Sequence, residues 1–190
     1  MKQYIGIVYR FVIFCFGKGV FGVRILGIDP GYAIVGWGVV DCVGGKFSVA
    51  GFGAITTEAH TEFPKRLKTI YEDMNFILDK YKPDCLAIEK LYFNTNSTTA
   101  IDVAQARGVI VLASESKGVE VNEYTPLQVK QAVTGYGRAE KHQVMEMVKS
   151  LLGLKAVPKP DDTADALALA VCHGHYSGSS YSKVYKEAKK

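Results

Sequence analysis

Hydrophobic positions along the chain change period several times, and each change marks an element. Val23-Arg24-Ile25-Leu26-Gly27-Ile28 is a strand-like run that ends on a lone carboxylate, Asp29, where Pro30-Gly31 stops it. Gly36-Trp37-Gly38-Val39-Val40-Asp41 and Phe47 to Thr56 read as two further strands, joined by a Gly44-Gly45 hairpin turn that makes them antiparallel neighbours. From Pro64 the period lengthens. Leu67, Ile70, Tyr71, Met74, Ile77, Leu78 and Tyr81 recur at helical spacing, with Lys65, Arg66, Lys68, Glu72 and Asp73 on the other side, so this helix lays one face on a core. Pro83-Asp84 ends it. Cys85-Leu86-Ala87-Ile88 is then nearly all apolar, as a strand buried on both faces is, and it too ends on a carboxylate, Glu89.

Leu91 to Thr99 is polar and aromatic, a loop ahead of a helix expected from about Thr98 to Ser116. Ala100, Ala104, Gly108, Val111 and Leu112 give that helix a narrow face of mostly small residues, suited to close packing, another subunit included. Val119 to Tyr124 is the next strand. A short helix follows from Pro126 through Val133, Gly135-Tyr136-Gly137 breaks it, and a further helix is expected from Ala139 to Leu152. Pro158 and Pro160 make a stiff lead-in to a last, alanine-rich helix from Asp162 to about His175. Three antiparallel strands followed by alternating helices and strands imply an α/β fold: a mixed five-stranded sheet with helices on both faces.

The chain has 190 residues, 48% of them hydrophobic, enough for one domain with a full core. Residues 23–176 form the expected domain. Met1 to Gly22 contains a short apolar run, Phe11 to Phe16, between basic residues, but it lacks an Ala-x-Ala-like cleavage site and is too short to cross a bilayer. An N-terminal extension with no part in the fold is expected there, and a solvated tail over residues 177–190. Net charge of +4 permits a polyanionic partner without demanding one. Cys15, Cys42, Cys85 and Cys172 are scattered, none in a Cys-x-x-Cys pair, and fit free thiols in a reducing cytoplasm.

Carboxylates carry the candidate chemistry. Asp29 and Glu89 each close an apolar strand, and Asp161, Asp162 and Asp165 open the last helix. Several carboxylates meeting at one point repel unless cations neutralise them, and Mg²⁺ or Mn²⁺ prefers such oxygen ligands. Two such ions about 3.5–4 Å apart can hold the attacking and leaving oxygens of a phosphodiester. On a helix, Asp165 shares a face with Asp162 and also with Asp161, so spacing leaves those two tied. Asp161 and Asp162 also suit the positive end of a helix without any metal. His142, His173 and His175 have no partners at metal-ligand spacing.

Six motifs stand in order: Leu26-Gly27-Ile28-Asp29-Pro30-Gly31, Ala87-Ile88-Glu89, Ala104-Gln105-Ala106-Arg107-Gly108, Val129-Lys130-Gln131, Ala139-Glu140-Lys141, and Asp162-Thr163-Ala164-Asp165-Ala166-Leu167-Ala168. Over about Arg24 to His175 the chain resembles the RuvC family of bacterial Holliday junction resolvases. The resemblance implies a ribonuclease H-like fold and a homodimer that nicks two strands of four-way junction DNA symmetrically with Mg²⁺, two ions per subunit, in the cytoplasm. It also implies a RuvA-RuvB branch-migration complex as partner. Carried over by position, Asp29, Glu89, Asp162 and Asp165 are the metal ligands, with Asp161 outside the set. Lys130 and Lys141 match basic residues near the scissile phosphate, and Tyr92 and Phe93 match the place of an aromatic that stacks on opened bases. Two other classes share parts of the pattern: a related nuclease acting on RNA, and a phosphate-loop ATPase or kinase built on Asp29-Pro30-Gly31. For the latter the chain shows no second glycine-rich phosphate loop.

Deleting Met1 to Gly22 is expected to leave folding and DNA cleavage intact, as measured by circular dichroism and by cleavage of a synthetic four-way junction.

Overall fold

The computed structural model describes residues 22–91 and 99–178. Five strands form one sheet in the order β3-β2-β1-β4-β5: β1 (Gly22–Asp29), β2 (Ile34–Val43), β3 (Lys46–Thr56), β4 (Cys85–Glu89) and β5 (Glu120–Tyr124). The β1-β2-β3 meander is antiparallel, whereas β4 pairs with β1, and β5 with β4, in parallel. The mixed sheet expected from the order of elements is therefore the one observed.

The parallel half needs crossovers, and helices supply them. α1 (Phe63–Tyr81) leads to β4, and α2 (Ala100–Ser116) leads to β5. α3 (Pro126–Thr134), α4 (Lys141–Leu151) and α5 (Asp161–Gly178) follow. Alternation along the strands divides the core in two. Leu26, Ile28, Leu86 and Ile88 face α1 and α2, while Ile25, Cys85 and Ala87 face α3, α4 and α5. Cys42, Cys85 and Cys172 are buried, and burial pushes the Cys172 thiol up to about 12.

Boundaries differ from the sequence expectation at a few ends. β1 begins at Gly22, which pairs with Val43, so the last residue of the expected extension belongs to the sheet. The first 21 residues and positions 179–190 lie outside the described residues, and so do Tyr92 and Phe93. α4 starts at Lys141 rather than Ala139, because Ala139 is buried against the core and the Glu140 N–H donates to Gln143 Oε1 to begin the helix. The face of α2 buried in this chain is Ala106, Ile110, Ala113 and Ser114. Gly108 and Leu112, expected on a packing face, are exposed, and a Cβ on Gly108 would touch nothing.

α5 lies unusually close to the sheet. A Cβ on Gly27 would collide with the Ala166 carbonyl oxygen, and one on Gly36 with the Asp162 carbonyl oxygen. These glycines let helix backbone rest directly on β1 and β2, which fixes the first turn of α5 above the carboxyl end of β1. Gly36→Ala is expected to destabilise the protein by about 1–3 kcal/mol, as overpacking of a rigid contact does. Thermal melting checks this, and a melting temperature within one degree of the parent would contradict it.

Candidate active site

Pairing between β1 and β4 runs in register through Ile28 and Ile88. The next residues, Asp29 and Glu89, therefore end adjacent parallel strands at the same edge of the sheet. Side-chain alternation sends both toward the α5 face, the side of Ile25, Cys85 and Ala87. Asp162 and Asp165 come to the same place from the first turns of α5. The sheet register and one helix end thus bring together residues separated by up to 136 positions, counted from Asp29 to Asp165.

Electrostatics records the gathering. Burial first, and then the charges of Glu89, Asp165 and Asp162, together raise the Asp29 carboxyl from 3.8 to about 7, against a smaller opposing pull from Lys141. Glu89 is also raised, by burial and then by Asp165. Lys141, the first residue of α4, places Nζ 3.0 Å from Asp165 and 3.7 Å from Asp161. Burial lowers its pKa, but the hydrogen bond and charge of Asp165, with Asp161 and Asp29 behind it, leave it above its ordinary value.

Asp161 has different company. Its carboxylate sits 2.7 Å from Lys159 Nζ, and that hydrogen bond holds its pKa below the ordinary value. Asp162, not Asp161, is among the charges that raise Asp29. Asp162 thus contributes its charge to Asp29, while Asp161 is engaged by Lys159 and, more distantly, by Lys141.

Among the described residues no three His, Cys, Asp or Glu side chains stand close enough together to hold a metal ion. Asp29, Glu89, Asp162 and Asp165 share an electric field without closing a coordination shell, as like charges do when only one nearby ammonium offsets them. Their chemistry fits a hard divalent cation, since every donor is a carboxylate oxygen and Asp29 and Glu89 are both driven to higher pKa by burial and by neighbouring carboxylates.

Beside them lies a cleft of about 300 Å³ lined by Glu89, Asp165, Lys130 and Lys141, with Val144 and Leu169 in its apolar wall. Lys130 belongs to α3, which starts directly after β5. Thr125 fixes that start by accepting from the Gln128 N–H at 3.1 Å while its own N–H donates to Gln128 Oε1 at 2.9 Å. Both lysines expected from the sequence are thus at the carboxylate site. The histidines are not: His142 meets Glu140 at 3.3 Å, and His175 Nδ1 donates to the Ala132 carbonyl at 2.8 Å.

Two participants in the surrounding frame had no assigned place in the sequence. His173 of α5 bridges Tyr124 Oη at 2.8 Å and Cys85 Sγ at 3.2 Å, tying the helix that carries Asp162 and Asp165 to β5 and β4. Arg107 of α2 donates from Nε to the Glu89 carbonyl at 3.3 Å and pairs through Nη2 with Glu123. The only sequence signal for Arg107 is its place in the Ala104-Gln105-Ala106-Arg107-Gly108 motif.

The family model for the crossover junction endodeoxyribonuclease RuvC matches residues 25–173. The chain belongs to the RuvC family. Curated RuvC endonucleases from Brevibacillus brevis and Alkaliphilus oremlandii are 60% and 57% identical to it, each over 80% of this chain and 92% of the relative. Thermus thermophilus RuvC in complex with a Holliday junction substrate superposes with a TM-score of 0.80 at 34% identity, over 84% of this chain and 97% of that one. The yeast mitochondrial Holliday junction resolvase shares the fold, with a TM-score of 0.64 at 13% identity over 87% of this chain and 82% of that one. The protein is accordingly an endodeoxyribonuclease of crossover junctions with a ribonuclease H-like fold.

Because the folded chain binds the Asp29 proton more tightly than the unfolded chain, folding takes up a proton between about pH 4 and 7. Stability from this group is full at low pH and is lost as pH rises through about 7. In EDTA the melting temperature is expected to fall between pH 5 and 8. Asp29→Asn should flatten that fall, and added Mg²⁺ should raise the melting temperature more at pH 8 than at pH 5.

Proposed function

We propose that this chain cuts four-way DNA junctions symmetrically as a homodimer, with Asp29, Glu89, Asp162 and Asp165 holding two Mg²⁺ ions per subunit. The observation that carries the reading is the Asp29–Glu89 pair at the ends of two adjacent parallel strands, with Asp165 and Asp162 adding charge from α5. Bound there, the metal supplies an activated water and stabilises the leaving oxygen of the phosphodiester.

The chain's own residues do the rest. Half-buried Asp29 and Glu89 give a rigid floor, because both sit on strands held by ladder bonds rather than on loops. Lys130 and Lys141 line the cleft beside them and offer ammonium groups to the phosphate of the strand to be cut. Lys141, already engaged with Asp165, moves between carboxylate and phosphate as the strand enters. Tyr92 and Phe93, in the segment following Glu89, stack on opened bases at the branch point. Asp161 serves the start of α5 and its ion pair with Lys159.

α2 supplies the dimer contact. Ile101 and Leu112 are 67% and 61% exposed, and Gln105 and Gly108 complete one exposed stripe between them. An apolar stripe with a glycine at its centre suits close pairing of two helices. Two sites related by a twofold axis then meet two strands of the junction. A RuvA-RuvB branch-migration complex is the proposed motor partner, and the bacterial cytoplasm the proposed location. Buried thiols suit a reducing compartment, and among the described residues no helix is long and apolar enough to cross a membrane.

Single-turnover cleavage of a synthetic four-way junction at saturating Mg²⁺ tests the reading. Asp29→Asn and Glu89→Gln are expected to abolish cleavage while junction affinity stays within a few-fold, because phosphate contacts elsewhere carry binding. Asp162→Asn should cut the rate severely and Asp161→Asn should change it little. An intact junction with the parent protein across varied junction sequences, or preference for structured RNA in competition binding, would overturn the reading.

A further inference from the structure

The end of β4 is secured from the side opposite the catalytic carboxylates' neighbour β1. The Lys90 N–H donates to the Tyr124 carbonyl at 2.8 Å, continuing the β4–β5 ladder one step past Glu89. Immediately before it, the Glu89 carbonyl accepts from Arg107 Nε at 3.3 Å. Arg107 arrives from α2, on the other face of the sheet from α5, and its Nη2 donates to the Glu123 carboxylate on β5. One planar guanidinium therefore joins three elements at the backbone of Glu89. Its side chain is only 18% exposed, while Glu123 is 45% exposed.

We propose that Arg107, held in place by Glu123, is the positioning residue for Glu89. The peptide that follows Glu89 helps set where its carboxylate points, because Glu89 is the last strand residue and a single ladder bond, from Lys90 to Tyr124, follows it. A bond from a charged donor fixes that peptide more firmly than a neutral one would. The fork of the guanidinium lets one side chain bind a carbonyl and a carboxylate at once, which a lysine ammonium cannot do with the same fixed geometry. The carboxylate of Glu123 neutralises Arg107 and keeps its charge from simply pairing with Glu89, leaving the Glu89 side chain for the cation. Arg107 thus acts through Glu89 and touches neither metal nor DNA. The inference rests on the assignment of Glu89 as a metal ligand made above.

Full-length Arg107→Gln, Arg107→Lys and Glu123→Gln proteins test it, with two readouts: Mn²⁺ affinity without DNA, by electron paramagnetic resonance, and the Mg²⁺ midpoint of single-turnover junction cleavage. Loss of the partner that orients a metal ligand weakens metal affinity or activity by about 10–100-fold. Arg107→Gln is expected to raise both the Mn²⁺ dissociation constant and the Mg²⁺ midpoint by that order, with cleavage partly recovered at high Mg²⁺. Arg107→Lys should be nearly as impaired despite its charge, Glu123→Gln less so, and junction affinity should stay within twofold in all three. If Arg107→Gln fails to fold, the other two variants carry the same comparison. Unchanged Mn²⁺ affinity and Mg²⁺ midpoint in folded variants would overturn the proposal. So would a fall in junction affinity with metal binding intact, which would make Arg107 a phosphate contact. Glu89→Gln is the control: if it binds Mn²⁺ and cleaves as the parent does, the ligand assignment itself fails, whereas an inactive Glu89→Gln beside a normal Arg107→Gln defeats only the positioning role.

Discussion

Carboxylates that share a buried strand end cannot all remain charged without a positive neighbour, and the rest of this molecule is arranged around that repulsion. Asp29 bears most of it, since burial and three other carboxylates together raise it to about 7. Removing the charge would relieve the strain but would also remove the oxygen ligands that a divalent cation needs. The fold holds the carboxylates in place through the buried run Ile25 to Ile28 of β1, a helix seated on glycine, and Lys141 at 3.0 Å from Asp165. A site of this kind is preorganised for a cation and costs the metal-free protein stability at neutral pH.

The frame that resists the repulsion comes from both faces of the sheet. On one face, Gly27 and Gly36 let α5 lie against β1 and β2, while His173 ties its later turns to Tyr124 and Cys85. On the other, α2 packs Ala106, Ile110 and Ala113 into the core and sends Arg107 to the Glu89 carbonyl and Glu123. α2 also carries the exposed Ile101 and Leu112 on its outer side. The helix proposed to meet a second subunit is therefore the helix that touches the backbone of Glu89, the proposed metal ligand, so that pairing of subunits and the setting of Glu89 would share one rigid element.

The sequence by itself determined the elements and most of the candidate chemistry. Short continuous apolar runs ended by Asp29 and Glu89 could be read as strands buried on both faces, and the 3.6-residue spacing from Leu67 to Tyr81 as a helix, because length and period follow from backbone geometry. Order of elements was enough for a mixed α/β sheet, and six motifs were enough for the family. Asp29, Glu89 and Asp165 were legible because a charge that ends or interrupts an apolar run is costly and needs a reason, whereas Lys130 and Lys141 came only from the family resemblance.

Tertiary structure decided what depends on distance rather than on period. Asp161 and Asp162 are equally placed on a helix relative to Asp165; only the docking of α5 on β1 and β2 turns Asp162's field toward Asp29 and leaves Asp161 with Lys159. Gly108 and Leu112 of α2 could have been core or surface by composition, and packing of the opposite side of the helix against α1 and β5 left them exposed. Arg107 and His173 act across 18 and 88 positions, on Glu89 and Cys85. No local pattern encodes such partners, because a side chain's reach is set by which elements the sheet register brings side by side.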